Sequence, residues 1–333
     1  MARATARIVR FHRLGGPEVL QIEEVALPDP GPGEVQIAVK ALGLNRAEAM
    51  IRSGNYIESP DLPSGLGLEA AGIVHRLGEG VEGLAIGDAV SILPPPSMVR
   101  WPAYGDYATF PARHVVKHPS HLSFEAAAAT WMQYLTAYGA LIDIAKLHKG
   151  EFVVITAASS SVGLAAIQIA SRIGAIPIAV TRGRAKVDKL RETGAAHVIV
   201  SDEEDLESRL KQIAGADGVR VVFDPIGGPI FLPLTTAMAR GGILIEYGAL
   251  SPEPTPFPLF TVLTKSLTLR GYVVHEIIGD PARLEPAKAF ILEGLEAGTL
   301  KPVIARAFAF DQIVEAHRFL ESNQQFGKIV VTV

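Results

Sequence analysis

The sequence predicts an α/β protein in which a doubly wound parallel sheet is inserted into a separate, strand-rich domain. Three observations carry this. Up to Ala127 the chain is rich in short strands broken by Pro and Gly. From Phe152, apolar runs of strand length alternate with helical stretches, the rhythm of a parallel sheet with crossover helices. From Pro302 a strand–helix–strand texture like that of the first part returns. The expected division is 1–127 with 273–333 for the strand-rich domain, and 128–272 for the insertion.

In chain order, a basic alternating segment over Met1–Phe11 opens the first domain. Strands follow at Leu20–Val25 and Val35–Ala41, separated by Pro28-Asp29-Pro30-Gly31-Pro32-Gly33, where neither helix nor ladder persists. Ala70–Val74, Ala89–Leu93 and Ala108–Pro111 continue the β character. Ala126–Leu141 reads as one Ala-rich helix. The inserted sheet is expected from Phe152–Ile155, Ile176–Val180, His197–Val200, Val219–Phe223, Ile243–Tyr247 and Ser266–Tyr272. Helices at Val162–Ile173, Ala185–Thr193, Asp205–Ile213 and Phe231–Met238 lie between them, and Leu284–Ala297 is one more amphipathic helix.

Composition narrows the function. At 333 residues, 48% hydrophobic and 20% charged, the chain is long enough for two cores. A net charge of −4, with no basic run longer than Arg182–Lys186, points to no nucleic-acid partner. The absence of cysteine excludes disulfides, thiolate nucleophiles and Cys-based zinc sites. No window nears the roughly 18 uninterrupted apolar residues of a membrane helix, and no apolar signal segment follows the N-terminus. The cytoplasm is the expected compartment, with no membrane partner. His114, His118 and His121 lie close in sequence, but Pro119 breaks the helix that would align them, so they read as surface or packing residues and no metal site is assigned.

The stretch Phe152–Gly174 is the most informative. An apolar strand enters a turn of very small residues, Thr156-Ala157-Ala158-Ser159-Ser160-Ser161, and leaves through Val162-Gly163 into a helix. Small residues let the backbone approach a dinucleotide pyrophosphate, and the helix N-terminus offers free N–H groups with a partial positive charge. Ser159, Ser160, Ser161, Val162 and Gly163 are therefore candidate cofactor residues; the alternative is a plain strand-to-helix turn with Ser as its cap. About twenty residues on, where a ribose-reading acid is expected, stand Thr181, Arg182, Arg184 and Lys186. Cations at a helix start are mildly unfavourable, so an anionic 2′-phosphate is the fitting partner, which means NADP(H); a solvated helix start is the other reading. Tyr247-Gly248 and Gly271-Tyr272 end two strands of the parallel sheet, where ligands gather.

The ordered motifs Gly15-Gly16-Pro17-Glu18-Val19-Leu20, Gly43-Leu44-Asn45-Arg46-Ala47-Glu48, Arg52-Ser53-Gly54-Asn55-Tyr56, Gly67-Leu68-Glu69-Ala70-Ala71-Gly72, Asp224-Pro225-Ile226-Gly227-Gly228 and Gly327-Lys328 together make a specific set. The chain resembles the quinone oxidoreductase branch of the medium-chain dehydrogenase/reductase superfamily. The resemblance implies a GroES-like catalytic domain with an inserted Rossmann domain. Zinc alcohol dehydrogenases of that superfamily place a Cys where Asn45 stands and Gly-His-Glu where this chain has Gly67-Leu68-Glu69. A catalytic zinc needs three protein ligands, so the resemblance implies a zinc-independent enzyme. The phosphate turn departs from the family's Gly-Gly-Val-Gly, keeping only its last glycine in Ser160-Ser161-Val162-Gly163.

By the same resemblance Asn45 is the active-site amide and Tyr56 a cleft aromatic able to donate a proton from a phenol near its ordinary pKa of about 10. The alternatives are a turn residue before a short helix and an exposed loop aromatic. Thr130, Gln133 and Thr136 fall where the family's helix reaches the nicotinamide, Thr130 and Gln133 sharing a face. Lys328 matches a position near the cofactor; a salt-bridged surface lysine is the equal alternative. The implied activity is NADPH-dependent reduction of quinones or other electron-poor conjugated carbonyls. The rivals are an enoyl-thioester or alkenal reductase, and a weakly active NADPH-binding structural protein. A homodimer is implied through the Ser266–Tyr272 strand at the sheet edge, unless Lys265 and Arg270 protect that edge in a monomer.

Overall fold

The computed structural model describes residues 5–333. It comprises two compact units, one running to Met132 and resuming over Pro302–Val333, the other spanning Gln133–Lys301. These divisions lie later in the chain than Ala127 and Tyr272, the residues at which the sequence divides it. The reason is packing after Tyr272. Helices His275–Ile278 and Pro281–Glu296 belong to the second unit, where Arg283 donates to Asp143 at 2.6 and 2.8 Å. Arg172 donates to the Phe290 carbonyl at 2.6 Å and lays its guanidinium over the Phe290 ring.

The first unit opens with β1 (Thr5–Phe11) and β2 (Leu20–Ala26), an antiparallel ribbon. Next come β3 (Glu34–Gly43), β4 (Ala70–Leu77), β5 (Ala89–Ile92), β6 (Tyr107–Pro111) and β7 (Val115–Lys117). The second unit contributes β8 (Phe152–Ile155), β9 (Ile176–Thr181), β10 (His197–Val200), β11 (Val219–Asp224), β12 (Met238–Glu246) and β13 (Thr268–Gly271). The chain then returns to the first unit as β14 (Ile304–Ala309) and β15 (Lys328–Thr332). There the sheet order is β14-β15-β3-β4-β5-β7, with β6 also paired to β3. Its core gathers Phe11, Val35, Ile37, Leu42, Ile51, Leu66, Phe110 and Ile329, all essentially excluded from solvent.

In the second unit the order is β10-β9-β8-β11-β12-β13, every neighbouring pair parallel. Strands buried on both faces read as unbroken apolar runs, as Phe152–Ile155 does. The order reverses between β8 and β11, which places a crevice at the C-terminal ends of those two strands. β13 is the edge strand.

The single helix expected over Ala126–Leu141 is broken. Ser123 caps a short turn, Phe124–Ala127, and a separate helix begins at Trp131. Between them the Thr130 hydroxyl bonds back to the Ala126 carbonyl at 2.8 Å, and the Met132 N–H goes to Glu69 Oε1 at 3.2 Å. Local propensity for helix loses to these bonds. Beyond Tyr138 the chain widens into a π-turn, Gly139–Ile144. No described helix is long and apolar enough to cross a membrane.

Candidate functional site

In the first unit, Asn45 is the N-cap of helix Arg46–Ser53, in extended backbone conformation, and forms a capping box with Glu48. The Asn45 N–H donates to Glu48 Oε2 at 2.5 Å. Its amide nitrogen donates to the Gly43 carbonyl and to Glu48 Oε1, each at 3.2 Å. The Leu68 N–H donates to the same Glu48 oxygen at 3.0 Å. Asn45 thus acts as the turn residue the sequence allowed, with both ends of its amide engaged. The Asn-x-x-Glu spacing that signals such a box is legible in the sequence, yet Glu48 was not singled out there.

Lys328 completes this cluster. Its ammonium donates to Asn45 Oδ1 at 2.6 Å and pairs with Glu69 Oε2 at 2.6 Å, both Lys328 and Glu69 side chains being fully buried. The salt-bridged alternative therefore describes Lys328, but as an interior residue. Gly43 makes room for the pair: a Cβ there would stand 2.0 Å from the Ala128 carbonyl and 2.8 Å from Lys328 Cε. Burial pushes the Glu48 carboxyl up to about 7, against the opposing pull of Lys328 and its hydrogen bonds. Burial, with Glu48 and Glu58 adding to it, pushes the Tyr56 phenol up to about 12. That corrects the expectation of an ordinary phenol. Tyr56 remains protonated at neutral pH, half-buried and packed on the first unit's core. Among the described residues, no group of three or more His, Cys, Asp or Glu is placed to hold a metal ion.

In the second unit the turn after β8 is built by side chains as well as backbone. Ser160 caps helix Ser161–Arg172, its Oγ accepting from the Gly163 N–H at 3.0 Å. At Gly163 a Cβ would meet the Ala158 carbonyl at 2.6 Å, so only glycine lets the helix start this close to the turn. The cap reading of Ser160 holds. Lys186 Nζ donates to Ser159 Oγ at 3.1 Å, tying the loop after β9 to this turn. Partial burial and the neighbouring Arg182 lower the Lys186 pKa. Arg182 is exposed, whereas Arg184 is held by Glu203, a partner the sequence did not suggest. Thr181 is buried at the end of β9.

The remaining candidates divide. Thr130 and Gln133 do not share one helix: Thr130 lies in the break described above, Gln133 inside Trp131–Tyr138. Gln133 and Thr136 are both buried. Tyr247 stacks on Phe223, ring centroids 4.0 Å apart, and Gly248 leaves space for Pro225, whose carbonyl a Cβ would meet at 2.7 Å. Gly271 is exposed at the end of β13. Tyr272 turns inward, its hydroxyl donating to the Leu135 carbonyl at 3.3 Å against Gly139. Val162 follows Ser161 in the first turn of the phosphate helix.

Asp224, read in the sequence only as part of a motif, is central to the strand ends. It accepts from Thr156 Oγ1, from the Ile226 N–H at 3.2 Å and from the Gly227 N–H at 2.8 Å. So the turn after β8 and the loop after β11 are fastened to one buried carboxylate.

Residues 161–292 match the zinc-binding dehydrogenase family, and residues 31–120 match the alcohol dehydrogenase GroES-like domain. Quinone oxidoreductase 1 of Escherichia coli is 33% identical over 327 residues, covering 96% of this chain and 97% of that protein. The synaptic vesicle membrane protein VAT-1 homolog of Homo sapiens is 29% identical, covering 94% of this chain and 82% of that protein. The crystal structure of Escherichia coli quinone oxidoreductase complexed with NADPH superposes with a TM-score of 0.90 at 33% identity, covering 99% of this chain and 100% of that one.

Proposed function

The chain belongs to the quinone oxidoreductase branch of the medium-chain dehydrogenase/reductase superfamily, and on that premise we propose that it is an NADPH-dependent, zinc-free reductase of quinones or other electron-poor conjugated carbonyls. The observation that carries the cofactor assignment is the phosphate turn joined to the loop after β9. A small-residue turn capped by Ser160, an exposed Arg182 and the Lys186–Ser159 bond give donors for a pyrophosphate and cations for a 2′-phosphate on one surface. When bound there, NADPH supplies the hydride.

The protein's own residues then hold and polarise. Ser159 to Gly163 would receive the pyrophosphate, and Arg182 with Lys186 the 2′-phosphate, Arg184 contributing less because Glu203 holds it. No cysteine or histidine stands at Asn45 or Leu68 to ligate zinc, and a lysine ammonium occupies the space beside Asn45 and Glu69. Substrate polarisation therefore falls to hydrogen-bond donors. Tyr56 is the donor assigned: its raised pKa keeps the phenol protonated, and it shares the proton supply with solvent.

The segment Pro94–Tyr107 favours a neutral substrate. Arg100, its one cation, lays its guanidinium over the Trp101 ring at 4.4 Å, which leaves no obvious clamp for the phosphates of a large thioester. We further propose a homodimer joined through the free edge of β13. The deciding experiment is NADPH oxidation with a panel of quinones, alkenals and enoyl thioesters, with NADH as control. Turnover with quinones and NADPH is expected; preference for the thioesters would transfer the assignment to an enoyl reductase, and no turnover with any would leave a binding protein.

A further inference from the structure

Asp224 and Glu246 end neighbouring parallel strands and stand opposite each other in the β11–β12 register. Asp224 is fully buried, and both oxygens of Glu246 are buried without a hydrogen bond of ordinary geometry among the described residues. What faces Glu246 from β11 is the Asp224 carboxyl. On the other side β13 places Gly271 opposite it, and the Tyr272 N–H goes to the Glu246 backbone carbonyl; the cation of β13, Arg270, stands opposite Ile245 and is paired with Glu276 at 2.6 Å. The phenol of Tyr247 and the N–H of Gly248 lie beside it on its own segment. Gly227 stands near as well: a Cβ on it would sit 3.9 Å from Glu246 Oε2.

Two ionised carboxylates facing each other in such a place would repel strongly, with no neighbouring cation to offset them. One of them carries a proton. Asp224 already accepts from Thr156, Ile226 and Gly227, contacts that suit an ionised acceptor. The proton therefore belongs on Glu246.

We propose that Glu246 is a positioning residue of the dinucleotide site: its neutral carboxyl donates a hydrogen bond to Asp224, and Asp224 in turn locks together the turn after β8 and the loop after β11. The inference rests on reading those strand ends as the NADPH site. Burial first, and then the charge of Asp224, push the Glu246 carboxyl up to about 9. Loss of its proton would force the two carboxylates apart, slacken the Thr156 and Gly227 anchorage, and add negative charge beside an anionic cofactor.

The test has two arms. In the cofactor-free protein at about pH 8, above the Glu48 transition at about 7, the infrared carbonyl stretch of a protonated carboxylic acid should persist in the wild type, vanish as pH rises past about 9, and be largely absent from Glu246→Gln. In the second arm, NADPH affinity is followed by fluorescence titration across the same pH range. The wild-type dissociation constant should rise on the order of tenfold through the transition, a shift of about one pKa unit's worth of coupling. Glu246→Gln, which keeps a neutral donor, should lack that rise. Lys186 also titrates on the alkaline side but is common to both proteins, so their difference isolates Glu246. A band unchanged by the substitution, or identical pH profiles with NADPH bound, overturns the inference alone. Failure of the wild type to bind NADPH at any pH overturns the cofactor reading and this inference with it.

Discussion

The Lys328 ammonium lies 2.6 Å from a Glu69 carboxylate oxygen, with both side chains fully buried and 259 positions apart in the chain (328 − 69). A buried pair of this kind contributes little net stability when intact, because desolvation offsets the attraction, but losing one partner leaves an uncompensated charge. Lys328→Met should therefore destabilise the protein by about 3–5 kcal/mol, read from urea unfolding. The double change Lys328→Met with Glu69→Leu should recover most of that loss. Equal losses in the single and double variants would mean that packing, and not charge, governs the site.

Arg182→Ala should raise the NADPH dissociation constant about tenfold, through loss of a charge-assisted bond, and leave NADH binding nearly unchanged. Arg184→Ala should have a smaller effect, since Glu203 already holds that guanidinium. Isothermal titration of the three proteins with both cofactors checks this, and equal wild-type affinities for NADPH and NADH would remove the 2′-phosphate assignment.

Glu48 provides a stability prediction with a definite sign. Its folded pKa, about 7, is raised above the ordinary 4.5 by burial. The neutral form is thus favoured by folding, so the contribution is fully present below about 4.5 and is lost as pH rises through about 7. Relative to Glu48→Gln, which does not titrate, the wild type should lose roughly 3 kcal/mol across that window and change no further above it. Thermal unfolding of both proteins on either side of the transition measures the difference; a wild type that gains relative stability with pH contradicts the sign.

Quinone reduction should survive exhaustive chelation, and elemental analysis should find no stoichiometric zinc. The motivation is chemical: Asn45, Leu68 and Lys328 leave no three-ligand set of zinc character around Glu69. One tightly held zinc per chain whose removal stops turnover would reverse this.

Light scattering should give a mass twice the 35.4 kDa of one chain. The edge of β13 is unpaired among the described residues, and the helix preceding it exposes Phe260 and Leu263 at 78% and 64%. Apolar side chains beside a free strand edge are a liability unless a second copy covers them. Phe260→Asp should shift the protein toward a single-chain mass while leaving its thermal unfolding nearly unchanged. A wild type already at the single-chain mass ends the dimer proposal.

The parallel sheet was the most legible part of the fold, because strands such as Phe152–Ile155 and His197–Val200 are apolar, His197 aside, and their boundaries in the structure coincide with those read from sequence. Ser160 and Gly163 were legible for the same reason: turn chemistry is local. The break at Ala128–Thr130 was not, since alanines favour helix and what interrupts it is Glu69, distant in sequence. Nor was the interior position of Lys328, which depends on Glu69 and Asn45 meeting it across the fold. Glu246 left a faint trace, an acid closing the apolar run Ile243-Leu244-Ile245, but its significance needed Asp224 on the adjacent strand.

The position of β15 governs when the first unit can form. β15 lies between β14 and β3, Val330 pairing with Gly43 and Ala307 with Val330, so the sheet lacks two of its strands until the ribosome has passed the whole insertion. The second unit, continuous from Gln133 to Lys301, is synthesised entirely before that point and is free to fold first. Meanwhile the Ala41–Gly43 end of β3, which β6 does not cover, waits unpaired through the synthesis of more than half the chain. Nascent chains stalled just short of Pro302 should consequently resist protease within Gln133–Lys301 and be cut within the early strands, and they are the species for which chaperone dependence would be greatest.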